Sequence, residues 1–197
     1  WLEVSPLPRG GGFEFVDNIV GGRIPRQFIP AVEDGIRDYL VRGPLGFPVV
    51  DVQVSLYDGS YHTVDSSDMA FKTAGALAMR EGMPKCDPIL LEPIYKVSLS
   101  APSAFTSNIQ SLISGRRGQI LGFDAKAGWK GWDEVHAHMP QSEIQDLVIE
   151  LRSLTQGVGT FEFEFDHLQE LTGRLADQVV QHRQQQLGDR GGHAAQA

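Results

Sequence analysis

The sequence predicts an α+β protein made of two units in which strands and helices alternate. Segments with apolar side chains at every second position interleave with segments that carry them at helical spacing. Glu92-Pro93 separates two such groups, because proline lacks the amide hydrogen that an interior strand donates. Apolar side chains become scarce beyond residue 175. We therefore expect structured units at 1–91 and 92–175 and a disordered tail at 176–197.

The first unit is predicted to contain a short strand, a helix, a longer strand, a second helix and a last short strand at 89–91. Residues 13–16 alternate as a short strand does. Ile29-Pro30 begins a helix, since proline is favoured in the first turn, and Gly43 follows its end. Residues 49–56 alternate like a strand with one buried face. The second helix begins near Ser66-Ser67, whose hydroxyls can cap its free N–H groups.

The second unit has the order βαββαβ, which is the order of a ferredoxin-like sandwich. Its segments are a strand at 95–99, a helix after Pro102, strands at 119–123 and 135–139, a helix from Ser142 and a last strand at 161–165. Phe161, Phe163 and Phe165 alternate with glutamates along that last strand. We expect these three rings to lie buried against the helices, with the glutamates in water.

Composition limits the classes of function. The chain has 197 residues with 25 Asp and Glu against 17 Lys and Arg, a net charge of −8. Proteins that bind phosphate backbones over a broad surface are usually basic, so any contact with RNA must be local. No apolar run is long enough to span a membrane. The single Cys86 cannot form an internal disulfide, so we expect a reducing cytoplasmic location.

The sequence carries no strong signature of catalysis or metal binding. It contains no GxxxxGK[ST], CxxC, HExxH or GxSxG pattern, and we predict no catalytic residue. Gly10-Gly11-Gly12 and Gly21-Gly22 lie near chain turns and are more typical of flexible corners than of a phosphate cradle. His136 and His138 lie on one strand and could share a metal ion. Because no third ligand has an obvious spacing, we predict no metal site.

The loop after the strand at 49–56 has the most informative composition. Asp58-Gly59 breaks the strand with a turn signal, and His62 then stands beside Tyr61. Such a loop displays a histidine at the end of a rigid unit, which suits contact with something large. His62 could also be a general base, but no obvious nucleophile or orienting acid surrounds it. Asp65 is near in sequence and can instead serve the helix start. The residues alone leave both interpretations open.

Five segments resemble the C-terminal part of translation elongation factor G. They are GGRIPRQFIPAVEDGI (21–36), GPLGFPVVDVQVSLYDGSYHTVDSSDMAFK (43–72), LLEPIYKVSL (90–99), RRGQILG (116–122) and ELRSLTQGVGTFEFEFDH (150–167). The resemblance implies that 1–91 is most of the fourth domain, an incomplete ribosomal-protein-S5-like α/β fold. It implies that 92–175 is the ferredoxin-like fifth domain. The GTPase domain has no counterpart here, so we expect an excised fragment.

The resemblance also implies a partner and a set of contact residues. In the family the fourth domain reaches the decoding site of the small ribosomal subunit, beside tRNA and mRNA. His62 matches the histidine at the domain's tip, and Ser60, Tyr61 and Asp65 are its neighbours there. The wide minor groove of A-form RNA would offer 2′-hydroxyls to these side chains. On this basis we favour RNA contact over chemistry for His62.

The fifth domain of the family lies near rRNA of the large subunit. The basic residues best placed to touch rRNA phosphates in this chain are Arg116, Arg117, Lys126 and Lys130. An alternative is equally open for Arg116 and Arg117, which follow a helix and could bond its last carbonyl groups.

Further expectations concern cofactors and the kind of parent protein. The resemblance implies that this chain binds no cofactor. It implies that the full-length protein is a ribosome-stimulated GTPase that binds GTP and Mg²⁺. We expect that protein to be a cytoplasmic monomer without a membrane partner. The family usually has a Met-Phe-Gly-Tyr stretch after the proline matching Pro140, whereas this chain has QSEIQDLVIEL at 141–151. GWKGWDEVHAH at 128–138 is also unusual. These departures favour a divergent paralogue. A recycling factor, or an independent RNA- or protein-binding module, remains an alternative.

Overall fold

The computed structural model describes residues 1–194, which form two compact units. Trp1–Leu90 and the segment from Leu171 onward make the first unit, and Leu91–Glu170 makes the second. The strands are β1 (Leu2–Pro6), β2 (Phe13–Asp17), β3 (Val52–Leu56), β4 (Leu90–Pro102), β5 (Gln119–Ala125), β6 (Trp132–Pro140) and β7 (Thr160–Leu171). The helices are α1 (Ile29–Leu40), α2 (Asp68–Gly82), α3 (Thr106–Gly115), α4 (Gln141–Ile144), α5 (Leu147–Leu154) and α6 (Gly173–Ala194). Among the described residues, no helix is both long and apolar enough to cross a bilayer.

The sheet of the first unit has β3 in its centre. β1 pairs with β3 in antiparallel fashion, so that Leu2 lies opposite Leu56. β2 pairs with β3 in parallel, so that Asp17 also lies opposite Leu56. The parallel pair requires a crossover, which α1 supplies. The strand predicted from residue 49 begins at Val52, because Asp51 has a positive φ of 59° and is not extended.

Two helices cover this sheet and enclose the first core. Ile36 on α1, Val54 on β3 and Met79 on α2 are almost fully buried within it. The helices pack closely because Gly35 has no side chain: a β-carbon there would lie 1.9 Å from the carbonyl oxygen of Lys72. Both helices begin where the sequence predicts.

The second unit is the ferredoxin-like sandwich that the sequence predicts. Its strands lie in the order β5-β6-β4-β7, with β6 antiparallel to both β4 and β5. Val97, Leu99 and Val135 on the central strands are completely buried with Ile113 and Leu151 from the helices. Two details differ from expectation. β4 runs straight through Pro93, so that the strands expected separately at 89–91 and 95–99 are one strand from Leu90. The helix expected from residue 142 is split into α4 and α5.

The expected burial of the three phenylalanines on β7 is wrong for two of them. Phe161 packs against the second core, but Phe163 and Phe165 are each 55% exposed. Both rings instead form T-shaped pairs with Tyr95, at centroid distances of 5.7 and 5.9 Å. β7 is an edge strand of the sheet, so its side chains have a neighbouring strand on one side only.

The tail expected to be disordered from residue 176 instead forms α6. Its half-buried positions recur at helical spacing and are Ala176, Val179, Val180, Arg183 and Leu187. Arg183 Nε donates to the carbonyl oxygen of Gly46 at 2.9 Å, and its guanidinium lies 5.4 Å from the ring centre of Phe47. This face lets the first unit stabilise a helix that has few apolar side chains of its own. Residues 195–197 of the predicted tail lie outside the described residues.

Candidate nucleic-acid interface

The loop at 57–67, here called the tip loop, connects two rigid elements of the first unit. β3 ends at Leu56, and α2 begins at Asp68. The Ser67 hydroxyl accepts a hydrogen bond from the Ala70 N–H at 3.1 Å, so it caps α2 as the sequence predicts. Both ends of the loop are therefore fixed by regular structure.

Inside the tip loop, His62 and Ser66 close a small ring of hydrogen bonds. The His62 N–H donates to the Ser66 hydroxyl at 2.8 Å, and the Ser66 N–H donates to the His62 carbonyl at 3.1 Å. The His62 Nδ1 lies 3.3 Å from Asp65 Oδ2. These contacts give a short polar loop a defined shape without a hydrophobic core of its own.

The predicted contact residues of this loop are all exposed. The His62 side chain is 71% exposed and that of Asp65 is 80% exposed. Ser60 and Tyr61 lie beside them on the surface. The structure thus exposes Ser60, Tyr61, His62 and Asp65 on one loop, and of their side chains it brings His62 and Asp65 into contact.

A second loop, at 18–25, lies beside the tip loop and was not anticipated from the sequence. Because β2 and β3 run parallel, the chain leaves both strands at the same end of the sheet. The Asn18 N–H donates to the Leu56 carbonyl at 2.8 Å. The two loops are neighbours only because β2 pairs in parallel with β3, and the sequence of residues 13–16 does not show which strand they pair with.

The four predicted rRNA contacts of the second unit divide into two groups. Arg116 is only 17% exposed; it binds the Glu150 carboxylate and donates to the Glu143 carbonyl at 2.8 Å. Arg117 binds the carboxylate of Glu92. Neither contact is with the carbonyl groups of the preceding helix. Both guanidinium groups are engaged by carboxylates of their own unit.

Lys126 is engaged in a similar way, whereas Lys130 is exposed. Lys126 Nζ donates to the Ser100 hydroxyl at 2.7 Å and lies 3.3 Å from Glu134 Oε1. Burial alone would raise the pKa of Glu134, but the Ser100 hydroxyl and the Lys126 ammonium outweigh burial and lower it. Lys130 lies on the exposed turn between β5 and β6, next to Trp129, which is 50% exposed.

The two histidines of β6 have separate partners. His136 Nδ1 lies 2.9 Å from the Ser98 hydroxyl, and His138 Nε2 lies 3.6 Å from Asp166 Oδ2. In the part of the chain that the structure describes, no group of His, Cys, Asp and Glu side chains has an arrangement suited to a metal ion.

The glycine turn near residue 10 binds an anion, but the anion is a side chain of the protein. The N–H groups of Gly10 and Gly12 donate to Asp51 Oδ1 at 3.1 and 3.0 Å, and Arg9 lies 3.3 Å from Oδ2. Asp51 is itself buried. A phosphate cannot take this place without displacing the carboxylate, so the turn does not fit a nucleotide.

Comparison of the sequence with models of known protein families identifies the family of this chain. The model described as elongation factor G, domain IV, matches residues 1–87. The model described as elongation factor G C-terminus matches residues 89–179. The chain belongs to the elongation factor G family. The resemblance seen in the sequence is confirmed, and this chain is part of a translation elongation factor.

Individual relatives of elongation factor G agree with this assignment. An elongation factor G-like protein from Synechocystis sp. is 58% identical over 176 residues, which cover 89% of this chain and 26% of that protein. Elongation factor G from Aquifex pyrophilus is 46% identical over 183 residues, covering 92% and 26%. The chain therefore spans only 26% of the length of these curated relatives. The higher identity to the elongation factor G-like protein fits a divergent paralogue.

A solved structure shares the fold of both units. It is the crystal structure of a protein from Thermus thermophilus, with a TM-score of 0.85 and 38% sequence identity. The match covers 94% of this chain and 27% of that one.

Proposed function

We propose that this chain is the ribosome-contacting C-terminal part of a translocation GTPase and performs no catalysis itself. The first unit would reach the decoding site of the small subunit while tRNA and mRNA move. The observation that carries the proposal is His62, displayed at the end of a rigid unit on a loop closed by its own hydrogen bonds. Membership of the elongation factor G family supplies the ribosome as the partner.

The surroundings of His62 suit a contact with RNA hydroxyl groups. Asp65 lies next to Nδ1, which favours the tautomer with its proton on that nitrogen. Nε2 is then a free acceptor for a 2′-hydroxyl in the wide minor groove of an A-form duplex. Ser60 and Tyr61 add a hydroxyl and a phenol from the same loop, each able to donate or accept.

The second unit would contact rRNA of the large subunit through a small surface. Lys130 supports this proposal best, because it is exposed on a turn and stands beside the half-exposed ring of Trp129. Arg116, Arg117 and Lys126 were predicted as phosphate contacts too. Their carboxylate partners partly neutralise them, so we propose that they shape this surface while Lys130 meets phosphate.

GTP and Mg²⁺ belong, in this proposal, to the full-length protein. The glycine turn at Gly10 and Gly12 already holds Asp51, and the sequence contains no GxxxxGK[ST] pattern. The full-length protein would work in the cytoplasm as a monomer, with nucleotide hydrolysis in another domain.

A second candidate is a specialised role on the ribosome, such as recycling. The higher identity to an elongation factor G-like protein than to an elongation factor G favours it, as does the unusual stretch at 141–151. An independent RNA- or protein-binding module is the remaining alternative.

Ribosome co-sedimentation tests the proposal. A full-length protein carrying this chain is spun with ribosomes in the presence of a non-hydrolysable GTP analogue or GDP. The proposed function predicts retention with the analogue and release with GDP. If the protein does not pellet with ribosomes in either nucleotide state, the result would favour the independent RNA- or protein-binding module. Retention without translocation activity would favour the recycling role.

A further inference from the structure

The base of the tip loop is held by the neighbouring loop at 18–25 through several independent contacts. Asn18 donates twice: its N–H to the Leu56 carbonyl at 2.8 Å and its side-chain amide to the Ser55 hydroxyl at 2.7 Å. Ile24, which is only 3% exposed, lies under Gly59. A β-carbon at Gly59 would come within 2.5 Å of the Ile24 side chain, so the two loops meet without a gap.

Arg23 adds an ion pair at the point where the tip loop leaves the sheet. Its Nη1 lies 2.8 Å from Asp58 Oδ1 and 2.7 Å from Oδ2. The same carboxylate accepts the Gly59 N–H at 2.8 Å, so Arg23 fixes the side chain that in turn fixes the loop backbone. Arg23 lowers the pKa of Asp58, as expected for a carboxylate bonded to a guanidinium.

This ion pair contributes little to folding. The side chains of Arg23 and Asp58 are 65% and 29% exposed, and exposed ion pairs are screened by water and salt. Its main physical effect is to restrict the direction in which the loop leaves β3. His62 lies beyond this base, so a small rotation at Asp58 and Gly59 would displace the imidazole.

We infer that Arg23 is a positioning residue: through Asp58 it aims the tip loop, and with it His62, at the RNA. The role rests on the function proposed above. Displacements of an ångström can slow a positioned reaction by up to about a hundredfold. Loss of Arg23 therefore acts on the movement of tRNA and mRNA, and leaves nucleotide hydrolysis and folding nearly unchanged.

Exchange of the two charges tests this role. The variants Arg23→Asp, Asp58→Arg and the double exchange are compared in a full-length elongation factor carrying this chain. We expect each single variant to slow translocation by about tenfold, in keeping with a lost positioning contact. The double exchange should recover part of that rate, because it rebuilds the ion pair in the opposite sense, although an arginine at position 58 cannot accept the Gly59 N–H. Arg26→Ala, an exposed arginine on the same segment, is the matched control and should have little effect.

A direct contact between Arg23 and RNA gives a different result. In that case Arg23→Asp is slow, Asp58→Asn is normal and the double exchange stays slow, which would overturn the positioning role. Unchanged translocation in both single variants would overturn it as well. The variant His62→Ala distinguishes failure of the positioning role from failure of the proposed function. Normal translocation by His62→Ala would contradict the proposed function itself.

A second measurement tests the positioning without the ribosome. Amide order parameters for residues 60–66 are measured by NMR in this chain and in its Arg23→Ala variant. We expect them to fall from about 0.85 towards 0.6, the values of rigid and flexible backbone, with an unchanged melting temperature. Order parameters that do not change would show that Arg23 does not hold the tip loop.

Discussion

His62 Nδ1 lies 3.3 Å from Asp65 Oδ2, and both side chains are largely exposed. An exposed pair of this kind contributes little to folding. Its effect is local, because it places a carboxylate beside one nitrogen of an exposed imidazole. Under the proposed function, the geometry of the tip loop depends on contacts that contribute little to folding, so its role and the stability of the fold can be separated by mutation.

Asp65→Ala should slow translocation without unfolding the protein. Loss of this exposed contact, worth about 0.2–1 kcal/mol, corresponds to a rate slower by up to about fivefold. Stability should stay within about 0.5 kcal/mol, as for other surface changes. Thr63→Ala, exposed on the same loop, is the control for translocation. An equal effect of both variants would show that Asp65 does not orient His62.

Asp51 should make stability depend on acid pH. Burial raises its pKa, but the Gly12 and Gly10 N–H groups and Arg9 lower it more, to below the ordinary value of 3.8. A carboxyl with a lower pKa in the folded chain than in the unfolded chain stabilises the fold above its ordinary pKa. That stabilisation is lost as the pH falls through the lower, folded pKa.

Asp51→Asn tests this linkage, because asparagine keeps the shape and tolerates the positive φ of 59°. We expect the free energy of unfolding to fall by about 1.5–3 kcal/mol at neutral pH, the usual contribution of hydrogen bonds to a charged group. The difference between the two proteins should shrink as the pH is lowered. Urea denaturation at several pH values measures it, with Asp124→Asn, at an exposed position of β5, as control. A pH-independent difference would contradict the linkage.

Gly35→Ala should separate α1 from α2. Its new β-carbon would lie 1.9 Å from the Lys72 carbonyl oxygen, and overpacking of this kind costs about 1–3 kcal/mol or more. Gly82→Ala is the matched control, because nothing lies within 4 Å of a β-carbon there. Gly82 has helical backbone angles, so this change should stabilise by up to about 1 kcal/mol. Similar denaturation midpoints for both variants would show that the helices can separate without loss.

Phe163→Ala should be mild because the ring is half exposed. We expect a loss of about 1–2 kcal/mol from partial burial and the edge contact with Tyr95. Leu151→Ala, at a completely buried site, should cost about 2–5 kcal/mol. Thermal or urea denaturation ranks the two variants. A larger loss for Phe163→Ala would mean that another surface covers β7.

Local patterns in the sequence predicted the helices and strands where burial follows a regular period. The starts of α1 and α2 were predicted correctly because Pro30 and Ser67 act within one turn of the helix. The three phenylalanines of β7 were placed on the correct face, but alternation does not say whether a strand lies at the edge of its sheet.

The remaining differences depend on contacts between distant parts of the chain. Arg183 on α6 bonds to Gly46, and no local pattern links these residues. The sequence predicts that Arg116 touches rRNA phosphate or bonds the last carbonyl groups of its helix, whereas Glu150 engages it across the second unit. The tip loop was predicted from its own residues. Its support by Arg23 was not, because that contact depends on the parallel pairing of β2 and β3.

The most direct test is a pair of rates for His62→Ala in a full-length elongation factor that carries this chain. Single-turnover translocation should fall by about tenfold, equivalent to about 1.4 kcal/mol of lost contact. Ribosome-stimulated GTP hydrolysis should stay close to wild type, and folding stability should change by less than about 0.5 kcal/mol. Normal translocation by His62→Ala would contradict the role proposed for the tip loop.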